Sequence, residues 1–340
     1  MAPNPEARIV LLGSSPLSGA PEMLADALRL VGPGPVGVFA AASAEPRATA
    51  AAHVALLARH GVQAVDLEVT LDTVDYAAQD GDLLERIAGL RGVMLCGGNQ
   101  IRLVETLLHR GEESAVLRAI ARAHSQGATL FAASGAASAL SGVMIAGGSS
   151  YEALRYGVSS DTGHRGLVIQ EGIGLFGGGI VDQNLIGSRR LGRLIVACAE
   201  ESERFGIGVF EDSAVIASHA GSRLQATGRQ GIVLVEVDPT ALDLQSDSFV
   251  ANGVRLTVLA PGDRADLAEG AVERGGEASA APALLAVLLA GLAAESDAFT
   301  AAPRSPAAGS PPIRGLTLKV RAHQGATALV DIECPRDEDS

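Results

Sequence analysis

Along the first half of the chain, short apolar runs alternate with longer segments whose apolar residues recur at helical spacing. The runs 8–13, 35–41, 62–69, 92–96 and 128–133 read as buried strands. Between them, 21–30, 46–60, 80–90, 99–109 and 113–125 read as helices. This β-α-β-α order predicts an α/β fold: a mainly parallel sheet with helices on both faces. In such sheets ligands sit beyond the carboxyl ends of the strands.

The second half changes character. Short strands are expected around the glycines at 166–176 and 178–181, and a helix over 188–203. The stretches 206–218, 231–237 and 254–260 are strand-like and suggest antiparallel strands added to the parallel core. The chain therefore divides into an α/β domain over 1–268 and an Ala/Pro-rich linker or insertion over 269–312. The linker is expected to hold one helix at 283–294 and a Pro-rich part at 301–312. A strand hairpin follows over 313–334, turning at Gln324-Gly325, and then an acidic tail over 335–340.

The stretch 128–148, ATLFAASGAASALSGVMIAGG, carries the first candidate chemistry. An apolar strand runs into Ser134, which is flanked by Ala132, Ala133, Gly135 and Ala136. A helix-compatible run over 137–145 follows, closed by Gly147-Gly148. Strand, serine among small residues, helix is the sequence form of a nucleophile elbow. The sharp turn leaves no room for bulk beside the serine, and the free N–H groups of the helix start can support an oxyanion. A packed corner whose serine merely caps the helix has the same sequence form.

Composition narrows the field. A 340-residue chain that is 47% hydrophobic fills a sizeable core, although aromatics are only 3% and Trp is absent. The formal charge of −13 argues against nucleic-acid or anionic-membrane partners and suits a cationic substrate. Cys96, Cys198 and Cys334 show neither a pairing pattern nor metal-ligand spacing, which suggests a reducing compartment. The N-terminus lacks an apolar signal core, and the apolar run 283–294 is too short to span a bilayer. A cytoplasmic protein is expected, a homodimer without metal or cofactor.

Three further stretches could join Ser134. Gly97-Gly98-Asn99-Gln100 follows an apolar strand; its glycines allow close backbone approach and an N–H for an oxyanion, or it is an ordinary turn with Asn99 as N-cap. Asp182-Gln183-Asn184 precedes Arg189, Arg190 and Arg193, which either fix carboxylates or line a solvated helix face. Glu211 ends the apolar run 206–210, where an acid needs either a partner or a place in water.

Together these segments resemble the cyanophycinase family of serine peptidases, which includes the aspartyl dipeptidases. The resemblance runs from about Arg8 to Asp266. Its specific parts are Gly97 to Gln100, Ser138-Ala139-Leu140-Ser141, Met144 to Gly148, Asp182-Gln183 with Arg190-Leu191-Gly192-Arg193-Leu194, Gly206-Ile207-Gly208 with Glu211, and Pro261-Gly262-Asp263. It implies a hydrolase of β-linked aspartyl peptides, either a small peptide or a cyanophycin-like polymer with an aspartate backbone and arginine side groups. Ser134 matches the family nucleophile, the N–H groups of Gly98 and Gly135 its oxyanion hole, and Glu211 its triad acid. Gln100, Asp182, Gln183, Arg190 and Arg193 match substrate-side positions.

One departure stands out. The family's general-base histidine follows Asp-Gln directly, and here that position is Asn184. Leu185 replaces an aromatic, and Ser188 stands where an arginine is expected. Asparagine cannot take and return a proton, and serine needs a base near neutral pH. His164, in the loop 159–165, is the first candidate replacement and His219 the second, although most loop histidines carry no catalytic role. His53, His60, His109 and His124 fall on helical segments. Two classes follow: a serine hydrolase with a weak or rearranged base, or a non-catalytic homologue that binds an aspartyl or arginyl peptide or partners an active subunit.

Overall fold

A computed structural model describes residues 7–19, 21–161, 163, 165–238, 242–243, 248–275, 280–294 and 315–336. Its central feature is a nine-stranded sheet. Five strands form the parallel part, in spatial order Ile9–Leu12, Thr129–Ala133, Gly92–Leu95, Val36–Phe39 and Ala64–Asp66. The first four are short, mainly apolar runs buried along their whole length, as strands covered on both faces must be; the edge strand Ala64–Asp66 is half-buried and ends on Asp66. Beyond Ile9–Leu12 the sheet continues antiparallel through Ser213–Ser218, Arg223–Gly228, Arg264–Asp266 and Ala271–Glu273. The α/β class and the antiparallel additions are therefore as the sequence pattern predicts.

A second sheet packs behind the first. Its order is Ile180–Gln183, Phe205–Val209, Ile232–Glu236, Ser248–Leu259, Thr327–Pro335 and Thr317–Gln324, with only the first pair parallel. Val209, Ile207 and Ile232 from this sheet meet Val215, Ala217 and Ala226 from the first in one apolar core. A second core joins the outer face of this sheet to the helices Leu191–Glu200 and Ala281–Ala293. The C-terminal hairpin turns at Gly325-Ala326, one residue beyond the expected place because Gln324 still pairs with Thr327, and it pairs along Ser248–Leu259, so it belongs to this sheet. Among the described residues no helix is long and apolar enough to cross a membrane.

Two element readings need correction. The run 137–145 is not one helix: the helix spans Gly135–Ala139, and Val143–Gly147 is a strand paired antiparallel with Leu167–Glu171. Gly142 breaks the helix, and the apolar, partly β-branched Val143-Met144-Ile145 finds a strand partner that local periodicity does not reveal. The run 206–218 is two strands, not one. Phe205–Val209 lies in the second sheet and Ser213–Ser218 in the first, so the chain changes sheets across Phe210-Glu211-Asp212. That crossing carries Glu211 to the carboxyl end of the parallel strands. The Pro-rich part 301–312 and most of the acidic tail lie outside the described residues.

Candidate active site

Ser134 follows the strand Thr129–Ala133 with φ 51° and ψ −124°, and its side chain makes no capping hydrogen bond. A non-glycine residue here is costly and persists only where its surroundings fix it. The anchor is its own N–H, which donates to the Leu12 carbonyl at 2.9 Å. The cap alternative therefore fails, and the strained turn of an elbow is what the chain forms.

The adjacent strand Gly92–Leu95 delivers Gly97-Gly98 beside it. A Cβ on Gly98, at φ +148°, would lie 2.3 Å from the Ala42 carbonyl oxygen, and one on Gly135 would lie 2.6 Å from the Gly98 oxygen. Only glycine permits this approach of the two backbones. The Asn99 side chain accepts from the N–H groups of Ile101 and Arg102, so this turn is also a helix cap. The Gln100 amide donates to the Ile145 and Ala146 carbonyls, tying this turn to the strand that follows the elbow. Arg102 donates to the Ser43 carbonyl at 2.8 Å and clamps the next loop against Gly98; its place at the site was not legible from sequence.

Asn184 arrives from the other side. Its N–H donates to the Gly13 carbonyl at 3.2 Å, so Ser134 and Asn184 dock on consecutive carbonyls, Leu12 and Gly13, at one strand end. Asn184 has φ 52°, and asparagine is among the residues that tolerate this conformation best. Its Nδ2 donates to Gln183 Oε1 at 3.2 Å. Arg190 donates to the same oxygen and to the Gln183 carbonyl. Burial, then the Arg193 charge, pushes the Arg190 guanidinium below its ordinary range, opposed by Asp182 and Glu211. A quarter of the Arg190 side chain remains exposed.

Asp182 and Arg193 are differently placed. Asp182 is fully buried, and its carboxylate accepts two hydrogen bonds from Arg193, at 2.7 and 2.6 Å. Arg193 spends its remaining reach on the Gly148 carbonyl. This pair fastens the strand Ile180–Gln183 to the helix Leu191–Glu200 and to the loop after Val143–Gly147. Glu211 Oε1 accepts the Gly187 N–H at 2.9 Å, in the loop that follows Asn184. A Cβ at Gly13 would lie 1.9 Å from the Phe210 oxygen, so the sheet-changing loop presses on this same strand end. Gly13 follows the first strand, and only the rule that sites gather at carboxyl strand ends could have singled it out.

One serine lies in the elbow helix and another just past its end. Ser141 Oγ accepts the Val181 N–H at 3.0 Å, while Ser138 Oγ is buried and has no partner among the described residues. Of the alternative bases, His164 lies outside the described residues. His219 is excluded by topology. Ala217 pairs with Ile9, at the amino end of the strand whose carboxyl end meets Ser134, and His219 lies beyond it. His53 and His124 sit on helices, bonded to the Thr49 and Ala128 carbonyls, and burial lowers both below the ordinary imidazole range. His109 falls on a two-residue strand rather than a helix and pairs with Asp75. Among the described residues no three His, Cys, Asp or Glu converge as metal ligands. A hollow of about 430 Å³ lies at the amino end of the first strand, away from Ser134. Its charges are paired across strands, Arg223 with Asp266 and Arg264 with Glu273, as on a solvated sheet face.

The chain is similar to the cyanophycinase of Trichormus variabilis, 30% identical over 239 residues that cover 67% of this chain and 74% of that one. It is 28% identical over 236 residues to the cyanophycinase of Synechococcus elongatus, covering 67% and 68%. The crystal structure of a peptidase from an acI-B1 Actinobacterium shares the fold, with a TM-score of 0.51 at 15% identity over 80% of this chain and 96% of that one. No family model matches the sequence. Fold and relatives together define a peptidase-like hydrolase. Within that class the chain belongs to the cyanophycinase family.

Proposed function

We propose that the Ser134 cleft is a cyanophycinase-type serine hydrolase site for β-aspartyl peptides, with a general base weakened or relocated by Asn184. The observation that carries this reading is the left-handed Ser134 turn, held on the Leu12 carbonyl with the Gly97-Gly98 backbone packed against it. Ser134 Oγ attacks the scissile carbonyl, and the N–H groups of Gly98 and Gly135 receive the developing oxyanion. Gln183 and Arg190 face the substrate, a small peptide or cyanophycin-like polymer, with Arg190 supplying charge for an aspartyl carboxylate. Asp182 and Arg193 stand behind them and fix the strand that presents Gln183 and Asn184.

One observation favours a second reading, a non-catalytic peptide-binding homologue. The Asn184 amide is engaged by Gln183, and one Glu211 oxygen by Gly187, so neither is arranged as part of a proton relay. In a Ser–His–acid system the histidine both removes the serine proton and protonates the leaving amine. Without it, oxyanion stabilisation and binding retain only about 10³–10⁴-fold over water.

Little or no turnover of cyanophycin or β-aspartyl-arginine is therefore expected from the native chain. Asn184→His should produce measurable hydrolysis, and Ser134→Ala in that background should abolish it. Native hydrolysis that disappears on Ser134→Ala would point to another base, with His164→Ala the next variant. No gain from Asn184→His would move the peptide-binding reading ahead.

A further inference from the structure

Away from the Ser134 cleft, the strand Ser248–Leu259 is interrupted at Asn252-Gly253. Its register with Thr327–Pro335 sets Ala251 opposite Ile332 and Val254 opposite Val330, so Asn252 and Gly253 together face the single residue Asp331. Two residues against one is a β-bulge, which releases both from the ladder. On the strand's other side the pairing stops short of them, at Ala251 with Leu242 and at Arg255 with Glu236. Gly253 takes the left-handed φ of 67°. Its freed N–H donates to Asp331 Oδ1 at 2.9 Å. Asn252 is exposed, and its side chain has no partner among the described residues. Of the four asparagines in the chain, it alone precedes glycine.

These features converge on one reaction. The nitrogen that follows an asparagine can attack the side-chain amide carbon once its proton is removed, and glycine leaves the least obstruction to that approach. We propose that Asn252-Gly253 is a deamidation site in which Asp331 is the proton acceptor. The Gly253 nitrogen bonds to Asn252 Cγ as its proton passes to the Asp331 carboxylate. The Cγ–Nδ2 bond then breaks, and ammonia leaves with that proton, closing a five-membered succinimide. Water opens the ring at either carbonyl, giving Asp or a β-linked isoaspartyl residue at 252. Water is the sole co-reactant. The product sets a second carboxylate beside Asp331, and the isoaspartyl form also lengthens the backbone of an interior strand, so aged molecules carry a new charge and a loosened bulge.

The test uses the full chain, aged near neutral pH at physiological temperature and mapped by mass spectrometry with isoaspartyl detection. Conversion should accumulate at Asn252 ahead of Asn99 and Asn184, and faster in the folded chain than in the same chain denatured. Asp331→Asn keeps the shape but cannot accept the proton. It should slow conversion by about 10²-fold, the low end of what a positioned general base contributes. Slower conversion in the folded chain than in the denatured one would overturn the proposal, and this comparison needs no variant. Equal rates in wild type and in a natively folded Asp331→Asn would remove Asp331 as the acceptor.

Discussion

At the residue scale, Asn184 is the position on which the proposed chemistry of the Ser134 cleft turns. Its backbone, at φ 52° and bonded to the Gly13 carbonyl, brings the side chain to the strand end where Ser134 also docks. Asn184→His is therefore the first substitution to make. Arg190 belongs to the same scale. It is partly exposed, hydrogen-bonded to neutral oxygens of Gln183 and only distantly ion-paired, with Asp182 at 3.8 Å. Arg190→Ala should weaken binding of β-aspartyl-arginine by about 1.5–3 kcal/mol, the usual worth of a charge-assisted contact. Calorimetry reads this directly, and unchanged affinity in a chain that otherwise binds would take Arg190 out of the substrate pocket.

At the element scale, the buried Asp182–Arg193 pair holds the strand that ends in Gln183 and Asn184. Breaking a buried pair from one side strands a charge and costs about 3–5 kcal/mol. Asp182→Ala should therefore lower unfolding stability by that order in urea titration. Replacing Arg193 by Leu as well should recover part of the loss, because no charge is then left buried. A cost for Asp182→Ala below about 1 kcal/mol, typical of an exposed pair, would show that the strand is held by other contacts. The elbow helix is a second case. It is only five residues long, and just past its end Ser141 bonds the strand Ile180–Gln183.

At the scale of the whole molecule, the C-terminal hairpin completes the second sheet. Thr327–Pro335 pairs along Ser248–Leu259 and buries Val330, Ile332 and Cys334. Arg336 also reaches Glu200, at the end of the helix that carries Arg193. Fully buried aliphatic side chains contribute about 1.5–3 kcal/mol each, against a typical net stability of about 5–15 kcal/mol. Deleting 315–340 should therefore abolish cooperative thermal unfolding or make the chain insoluble. A deletion variant that melts at the wild-type temperature would mean that the remaining strands form a complete unit.

The sequence by itself determined the parallel core, because its four inner strands are short, mainly apolar runs whose burial is written in their own composition. It also marked the small residues of the Ser134 and Gly97-Gly98 turns, although the backbone approaches that require them, Ala42 on Gly98 and Gly98 on Gly135, come from the tertiary structure. What it could not settle were features fixed by partners distant in the chain. Val143–Gly147 became a strand because Leu167–Glu171 lies beside it. Glu211 reached the site because the chain changes sheets there, and it then bonded a backbone N–H that no side-chain pattern announces. Asp182 and Arg193, alike in sequence to substrate-side groups, were spent on each other once packing removed both from water. Hydrophobic pattern is a local property that survives in the sequence. Which polar groups meet depends on the register of whole elements, and only the tertiary structure sets that register.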